Sequence, residues 1–430
     1  MNIEQLHKLY LTATGVSTDT RKIINGNLFF ALKGENFDGN LFAEKAIELG
    51  ASHAIIDDEN YLKPAKNIIL VENVLETLQN LAKFHRTYLN IPIIALTGSN
   101  GKTTSKELIH AVLKENFNTI ATQGNLNNHI GVPLTLLSMN KNIEIGIVEM
   151  GANHHGEIAA LCEIAQPDFG YITNFGKAHL EGFGSLEGVI VAKSELYEHL
   201  RKNNKKVFVN SGDPVQIENT RGIESFAFGI KNSGSDVEID LIEANPFLKL
   251  SFSNTEINSN IIGRYNFSNL AAAIAIGTYF KVTPQKIKKG IESYTPGNNR
   301  SQIIKIQSNT IIMDAYNANP TSMRAALDNF NLTEAAHKVA ILGDMFELGD
   351  DAKAEHQNIA EFAELLNMDY VILVGKNFFK TKTDKAKKFE AFEDLKVFLE
   401  IVHFENFHIL IKGSRGMALE RVLDLIPVKE

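Results

Sequence analysis

Apolar and polar positions recur along this chain with two periods, and each change of period marks a new element. Residues 91–96 (Ile-Pro-Ile-Ile-Ala-Leu) form an unbroken apolar run that suits a strand buried on both faces. A glycine-rich turn follows, and then Leu108, Ile109, Val112 and Leu113 fall at helical spacing. Similar runs end at Glu149, Asn174 and Asn210, with helical stretches between most of them, which predicts a parallel sheet of strand–helix–strand units. Residues 223–262 turn to alternation broken by Asn, Ser and Gly, and predict a small antiparallel patch on the same domain. A second α/β series begins near Ser301, with runs at 339–344, 371–376 and 409–414 that each close on Gly and a polar residue. That predicts a separate doubly wound, Rossmann-like domain. The first 85 residues hold a strand-like run at 27–32, a turn at 34–39 and a helical stretch at 43–49, without a nucleotide loop. The expected fold is therefore α/β in three domains, 1–85, 86–300 and 301–430.

Composition narrows the function classes. At 430 residues, with 44% apolar and 22% charged positions, the chain is an ordinary globular protein with ample core. Its 51 acidic against 43 basic residues give a net charge of −8, poor ground for a nucleic-acid partner. Cys162 stands alone, so no disulfide can form within the chain and no cysteine metal cluster is available. The first residues have no secretory apolar core, and no run of 18 apolar residues occurs, so a cytoplasmic protein without a membrane span is expected. The Ala-rich 270–280 predicts a buried helix, and the Lys-rich 376–388 a solvated surface segment.

The chemistry gathers around Gly98-Ser-Asn-Gly-Lys-Thr-Thr104. Glycines let backbone N–H groups turn toward phosphate oxygens, and the positive end of the following helix adds to them. Lys102 can reach the outer phosphates, and Thr103 can offer its hydroxyl to Mg²⁺. The general P-loop places four residues between its glycines, whereas Gly98 and Gly101 have two. Mg²⁺ needs hard oxygen ligands, and Glu149 stands where a neighbouring strand ends, at the rim where α/β sheets bind ligands. His179 should lie at the same rim. Lys193 is unremarkable by spacing, while Arg300 could neutralise a transferring phosphoryl group and Asp314 closes a C-terminal strand. The residues alone thus give an Mg²⁺-nucleotide enzyme with a crevice between two α/β domains.

Taken together and in order, these segments resemble the Mur ligase family over nearly the whole chain. Thr97 to Thr104 is similar to that family's phosphate loop, short spacing included. Segments 124–133, 149–154, 314–320 and 342–349 are also family-like. The resemblance implies that Gly98, Ser99, Asn100, Gly101, Lys102, Thr103, Thr104, Asn266, Asn269, Arg300 and Asp314 bind ATP. It implies a catalytic set of Lys102, Glu149, His179 and Lys193, with Thr103, Glu149, His179 and Lys193 as metal ligands for about two Mg²⁺. In that role Lys193 would be a carbamate, whose anionic oxygens suit Mg²⁺ where an ammonium would repel it. Tyr265 stands where the family often has His. The segments Ser17-Thr-Asp-Thr-Arg21 and Lys33-Gly-Glu-Asn-Phe-Asp-Gly39 resemble a UDP-sugar signature. Ser17, Asp19, Thr20, Arg21, Lys33, Gly34, Asp38 and Gly39 would then bind the UDP substrate, with Asn127 and Asn128 touching its peptidyl part. Lys412-Gly-Ser-Arg415 is family-like without an assigned contact.

The implied reaction is ATP-driven amide formation between UDP-N-acetylmuramoyl-tripeptide and D-alanyl-D-alanine through an acyl phosphate, carried out by a monomer. The alternatives are the sibling ligase that adds the third peptide residue, folylpolyglutamate synthase, and a nucleotide-binding homologue without catalysis.

Overall fold

A computed structural model describes residues 1–63, 67–402 and 404–426, and three principal sheets organise them. The N-terminal sheet has four parallel strands, Val16–Ser17, Leu28–Phe30, His53–Ile56 and Ile68–Leu70, in that spatial order. A small hairpin of Lys33–Gly34 and Phe37–Asp38 stands apart from it. Leu28, Phe29 and Phe30 are all buried, as the unbroken apolar run requires.

The central sheet has nine strands. One half of it places Phe169–Ile172, Ile93–Thr97, Ile145–Glu149 and Thr119–Ala121 side by side and parallel, so the C-terminal ends of these strands open on one edge. The expected antiparallel patch needs correction. Glu224–Ile230 pairs parallel with both Lys206–Asn210 and Val237–Glu243, and only from Val237 onward, through Phe247–Phe252 and Thr255–Ile262, is the pairing antiparallel. Alternation records one buried face and carries no information on the direction of the neighbouring strand.

The expected Ala-rich helix is Phe267–Tyr279, buried from Asn269 to Gly277. It packs on the helix Lys102–Leu113 at close range, because a Cβ on Gly277 would come within 2.5 Å of Val112 Cγ1. That contact fixes the helix whose N-terminus forms the phosphate loop.

The C-terminal sheet runs Gln302–Ile306, Asn309–Asp314, Phe407–Lys412, His337–Gly343, Tyr370–Val374, Lys387–Phe389, with only the first pair antiparallel. The Lys-rich segment is solvated as expected, with Lys376, Lys380, Lys382, Lys385 and Lys387 all exposed. Lys376–Phe379 is a short helix with Phe378 fully buried against His356, and Lys387–Phe389 is an edge strand whose lysines discourage further pairing.

The N-terminal and central sheets share a core through the helix Val74–Leu89, whose Leu78 and Leu81 are fully buried in the cluster that includes Val132 and Leu136. Each such side chain contributes about 1.5–3 kcal/mol. A polar chain lies in the same interface. The two-acceptor environment of His85 Nε2, with Met139 O at 2.9 Å, makes that nitrogen the proton donor, so His85 Nδ1 accepts from His7 Nε2 at 3.0 Å. Tyr10 donates to Leu137 O at 2.6 Å beside them. The central and C-terminal sheets are joined by a linker in which Asn298, Asn299 and Ser301 all take left-handed backbone conformations.

Candidate active site

The phosphate loop owes its path to two glycines. Gly98 has φ +140°, and a Cβ there would fall 2.0 Å from Thr173 Oγ1; Gly101 has φ +79°, with Asn269 Oδ1 2.6 Å from any added Cβ. Asn174 holds the loop from the next strand by accepting from Ser99 N through its carbonyl at 3.0 Å and from Asn100 N through Oδ1 at 3.1 Å. Lys102 folds back to donate to Gly98 O at 2.7 Å. Burial pushes its pKa down, and the nearby Glu149 carboxylate opposes that shift.

Glu149 is 1% exposed. Its Oε1 accepts from Asn127 Nδ2 at 2.8 Å and from Thr103 Oγ1 at 3.3 Å, while Oε2 has no hydrogen-bond partner and lies 3.8 Å from Lys106 Nζ. A buried carboxylate oxygen without a donor is expensive, and a divalent cation would satisfy it. Asn266 and Asn269 are tied together, Asn269 Nδ2 donating to Asn266 Oδ1 at 2.7 Å, and Ser105 anchors Asn269 from the loop helix at 3.0 Å.

Lys193 is fully buried on the helix Leu186–Lys202. Its ammonium donates to Ala152 O at 2.9 Å and sits 4.9 Å from the Phe183 ring centroid. Desolvation, helped by Lys102, lowers its pKa to about 7. His179 takes a left-handed conformation and pairs through Nδ1 with Glu347 of the C-terminal domain, whose carboxyl is held below its usual range by that bond. Among the described residues no three of His, Cys, Asp and Glu converge as a ready metal cage.

From the C-terminal side, Arg300 stacks its guanidinium 3.5 Å from the Tyr316 ring centroid. Asp314 Oδ2 accepts from Lys412 Nζ at 2.6 Å, a pair set by adjacent parallel strands, and Asp314 Oδ1 accepts from Ser301 N. Besides the His179–Glu347 pair, the domains meet beside the loop where Asn319 Nδ2 donates to Asn100 Oδ1 at 2.7 Å and Lys177 Nζ meets Glu355 Oε1 at 2.6 Å.

Many of these groups border one cavity of about 780 Å³. Of the expected residues, Ser99 to Thr104, Asn127, Asn128, Glu149, His179, Asn266, Asn269, Arg300 and Asp314 all line it, with Tyr265 among them. Tyr265 bonds Ser301 Oγ at 3.0 Å across the linker, and burial raises its pKa. Lys193 lies behind the wall formed by Ala152.

The expected UDP-binding residues do not line this cavity. They form local turns of the N-terminal domain: Asp19 accepts from Arg21 N and from its guanidinium, which holds the carboxyl down to about 2. Ser17 Oγ donates to Asp19 O, and Asp38 caps Asn40. Lys33 bridges to Asp57 at 2.9 Å, and a Cβ on Gly39 would strike Leu32 O at 2.5 Å.

Sequence reasoning missed Asn174, Asn319, Tyr316, Lys106 and Glu347. Lys106 had a signal, since it follows Lys102 by one helical turn; it is fully buried and donates to Thr122 O at 2.5 Å. The others sit on loops whose partners are remote in sequence.

Family models described as Mur ligase family, catalytic domain, Mur ligase middle domain, and Mur ligase, glutamate ligase domain match residues 12–86, 96–277 and 299–424. A UDP-N-acetylmuramoyl-tripeptide--D-alanyl-D-alanine ligase of Bacillus subtilis (strain 168) is 38% identical over 433 residues, covering 96% of this chain and 93% of that one. The chain belongs to the Mur ligase family. Among solved members of the Mur ligase family, a MurF structure from Acinetobacter baumannii superposes with TM-score 0.87 at 30% identity, covering 99% of this chain and 98% of that one. The MurF ligase from Thermotoga maritima in complex with ADP gives TM-score 0.84 at 28% identity, with 97% of each chain covered. The expected three-domain Mur ligase architecture is therefore present, and among the described residues no helix is long and apolar enough to cross a membrane.

Proposed function

We propose that this chain is an ATP-dependent ligase that joins D-alanyl-D-alanine to UDP-N-acetylmuramoyl-tripeptide, as a cytoplasmic monomer supplying the pentapeptide precursor of peptidoglycan. The observation that carries this reading is the single cavity on which the phosphate loop, the buried Glu149 and the C-terminal Arg300 and Asp314 converge, in a chain alike over its full length to ligases of that name.

ATP would lay its phosphates on the loop from Gly98 to Thr104, where Lys102 exchanges Gly98 O for phosphate oxygen. Asn266, Asn269 and Asp314 would position the rest of the nucleotide, and Arg300 would face the charge of the transferring group. The unpartnered Glu149 Oε2 beside the Thr103 hydroxyl fits a hard cation, so Thr103, Glu149, His179 and Lys193 as a carbamate would hold two Mg²⁺. Bound there, Mg²⁺ offsets repulsion between an anionic nucleophile and a polyphosphate. A Lys193 pKa near 7 leaves much of the amine neutral at neutral pH, the form that can add CO₂.

The tripeptide carboxylate oxygen attacks the γ-phosphorus and ADP leaves, giving an acyl phosphate. The neutral amine of the dipeptide attacks the acyl carbon, loses its proton, and the tetrahedral adduct expels phosphate. Ser17, Asp19, Thr20, Arg21, Lys33, Gly34, Asp38 and Gly39 would hold the UDP end, with Asn127 and Asn128 along the peptide.

Phosphate release from ATP and Mg²⁺, with both substrates and with each omitted, tests the reading. Release that needs both, with a product heavier by one dipeptide less water, supports it. Release without the dipeptide, or only with another amine, would return the chain to a sibling activity or a bare ATPase.

A further inference from the structure

We infer that Lys106 is a positioning residue for the reaction: buried behind the phosphate loop, it ties that loop's helix to Thr122 and so sets where the segment carrying Asn127 and Asn128 stands relative to Glu149. This rests on the ligase reading above, which assigns those two asparagines to the muramoyl peptide.

Lys106 lies one turn beyond Lys102 on the helix Lys102–Leu113 and is fully buried. Lysine is almost never found so deep without a partner, because an ammonium gives up its hydration on entering the interior. Its Nζ faces three oxygens: Thr122 O at 2.5 Å, Glu107 Oε1 at 3.0 Å and Glu149 Oε2 at 3.8 Å. The first is a hydrogen bond to backbone, and the two carboxylates balance the charge. Buried ion pairs of this kind add little over an apolar side chain of equal volume, so stability alone gives no reason for a lysine here.

Thr122 is where that bond acts. The edge strand Thr119–Ala121 ends at it, and each of its polar groups is committed: N donates to Ile147 O at 2.9 Å, Oγ1 accepts from Glu149 N at 2.9 Å, and O accepts from Lys106. Beyond it Gln123, Gly124 and Asn125 are exposed, and Gly124 takes a left-handed turn at φ +54°. The chain is caught again at Asn127, whose O accepts from Gly151 N at 2.7 Å and whose Nδ2 donates to Glu149 Oε1 at 2.8 Å. Asn128 then caps the next helix, its Oδ1 accepting from Gly131 N at 2.9 Å. The exposed turn is thus strung between two anchors, Thr122 and Asn127, and both meet Glu149. Lys106 bonds the first of them directly to the helix of the phosphate loop. Attack of the peptide carboxylate on the γ-phosphorus depends on how these two segments are spaced, so a slack tie costs rate without removing any group that touches substrate.

The test compares wild type, Lys106→Met and Lys106→Gln, the last keeping a donor for Thr122 O without the charge. In steady-state ligation we expect K106M to raise the KM for UDP-muramoyl-tripeptide at least about tenfold and the KM for ATP less than about threefold. Hydrogen exchange on the free proteins should quicken at the amides of Leu126 and Asn127 in K106M and stay unchanged at Leu108 to Leu113. K106Q should restore protection of the turn and bring the KM for the UDP substrate back to within about threefold of wild type. Should K106M fail to fold, Thr122→Val loosens the same anchor through its side chain and should give the same split. An unchanged KM for the UDP substrate, an equal rise for ATP, unchanged exchange in the turn, or a K106Q no better than K106M would overturn the assignment. A wild type that never joins the dipeptide to the UDP substrate removes the ligase reading and the peptide role with it; a working ligase indifferent to Lys106→Met sinks this inference alone.

Discussion

The His7–His85 chain makes the union of the N-terminal and central domains sensitive to acid, and the size of the effect can be worked out. His7 is 3% exposed, and burial together with the neighbouring His85 lowers its pKa from 6.5 to about 4. Phe84 and Tyr88 flank its ring, Tyr10 lies beside it on its own helix, and Lys141 rests over the far neighbour Tyr88. The sign follows from linkage. Above pH 6.5 the imidazole is neutral in folded and unfolded chains alike and costs nothing. Between pH 6.5 and 4 the unfolded chain takes up the proton and the folded one does not, so stability falls with pH. Two and a half units at about 1.4 kcal/mol each give a ceiling of about 3 kcal/mol, most of which is already lost at pH 4.5. Because a chain of three domains need not unfold in one step, the assay should be local. Hydrogen exchange of the helices Ile3–Tyr10 and Val74–Leu89, corrected for intrinsic rates, should show protection dropping by roughly fiftyfold between pH 7 and 4.5. His7→Gln, which keeps a donor for His85 Nδ1 and cannot titrate, should remove most of that drop. Equal pH dependence in wild type and H7Q would refute the reasoning.

Other expectations follow from the same geometry. Lys193→Ala should abolish most ligase activity, and a short carboxylic acid should restore part of it by standing in for the carbamate; full activity in the alanine variant would end the metal-site role. Gly98→Ala places a methyl 2.0 Å from Thr173 Oγ1 at φ +140°, so calorimetry should find ATP binding lost while circular dichroism still reports a folded chain. Lys177→Met removes the bridge to Glu355; as Lys177 is half exposed, the melting temperature should shift by no more than about 1 kcal/mol would give, while small-angle scattering reports a more open envelope. Leu81→Ala should cost about 2–5 kcal/mol, read from denaturant midpoints, because the site is closed on all sides.

What the sequence reveals depends on how local the cause is. The strand, glycine loop and helix around Gly98 to Thr104 could be read directly, since turn, cap and periodicity lie within twenty residues. Glu149 followed from the rule that parallel strands deliver their last residues to one edge. Lys193 could not be read from spacing, because what distinguishes it is total burial beside Lys102, a tertiary fact. Nor could Glu347, whose partner His179 is 168 positions away, or Asn319, which meets Asn100 across the domain boundary. The direction of Glu224–Ile230 was hidden for a related reason: side-chain alternation is the same for either neighbour orientation. The lysines of 376–388 were legible as surface from composition alone, whereas the buried Phe378 ring that anchors the stretch was not.

The linker between the central and C-terminal sheets holds Arg300 between residues fixed in left-handed conformations, and Arg300 faces the nucleotide cavity from there. Any rotation of the last domain must pass through those dihedrals and carry the guanidinium with it. Nucleotide occupancy and domain angle are then two readings of one coordinate, and by reciprocity each must favour the other by the same factor. A small molecule lodged against Tyr316 or Tyr265 could therefore weaken ATP binding without touching the phosphate loop.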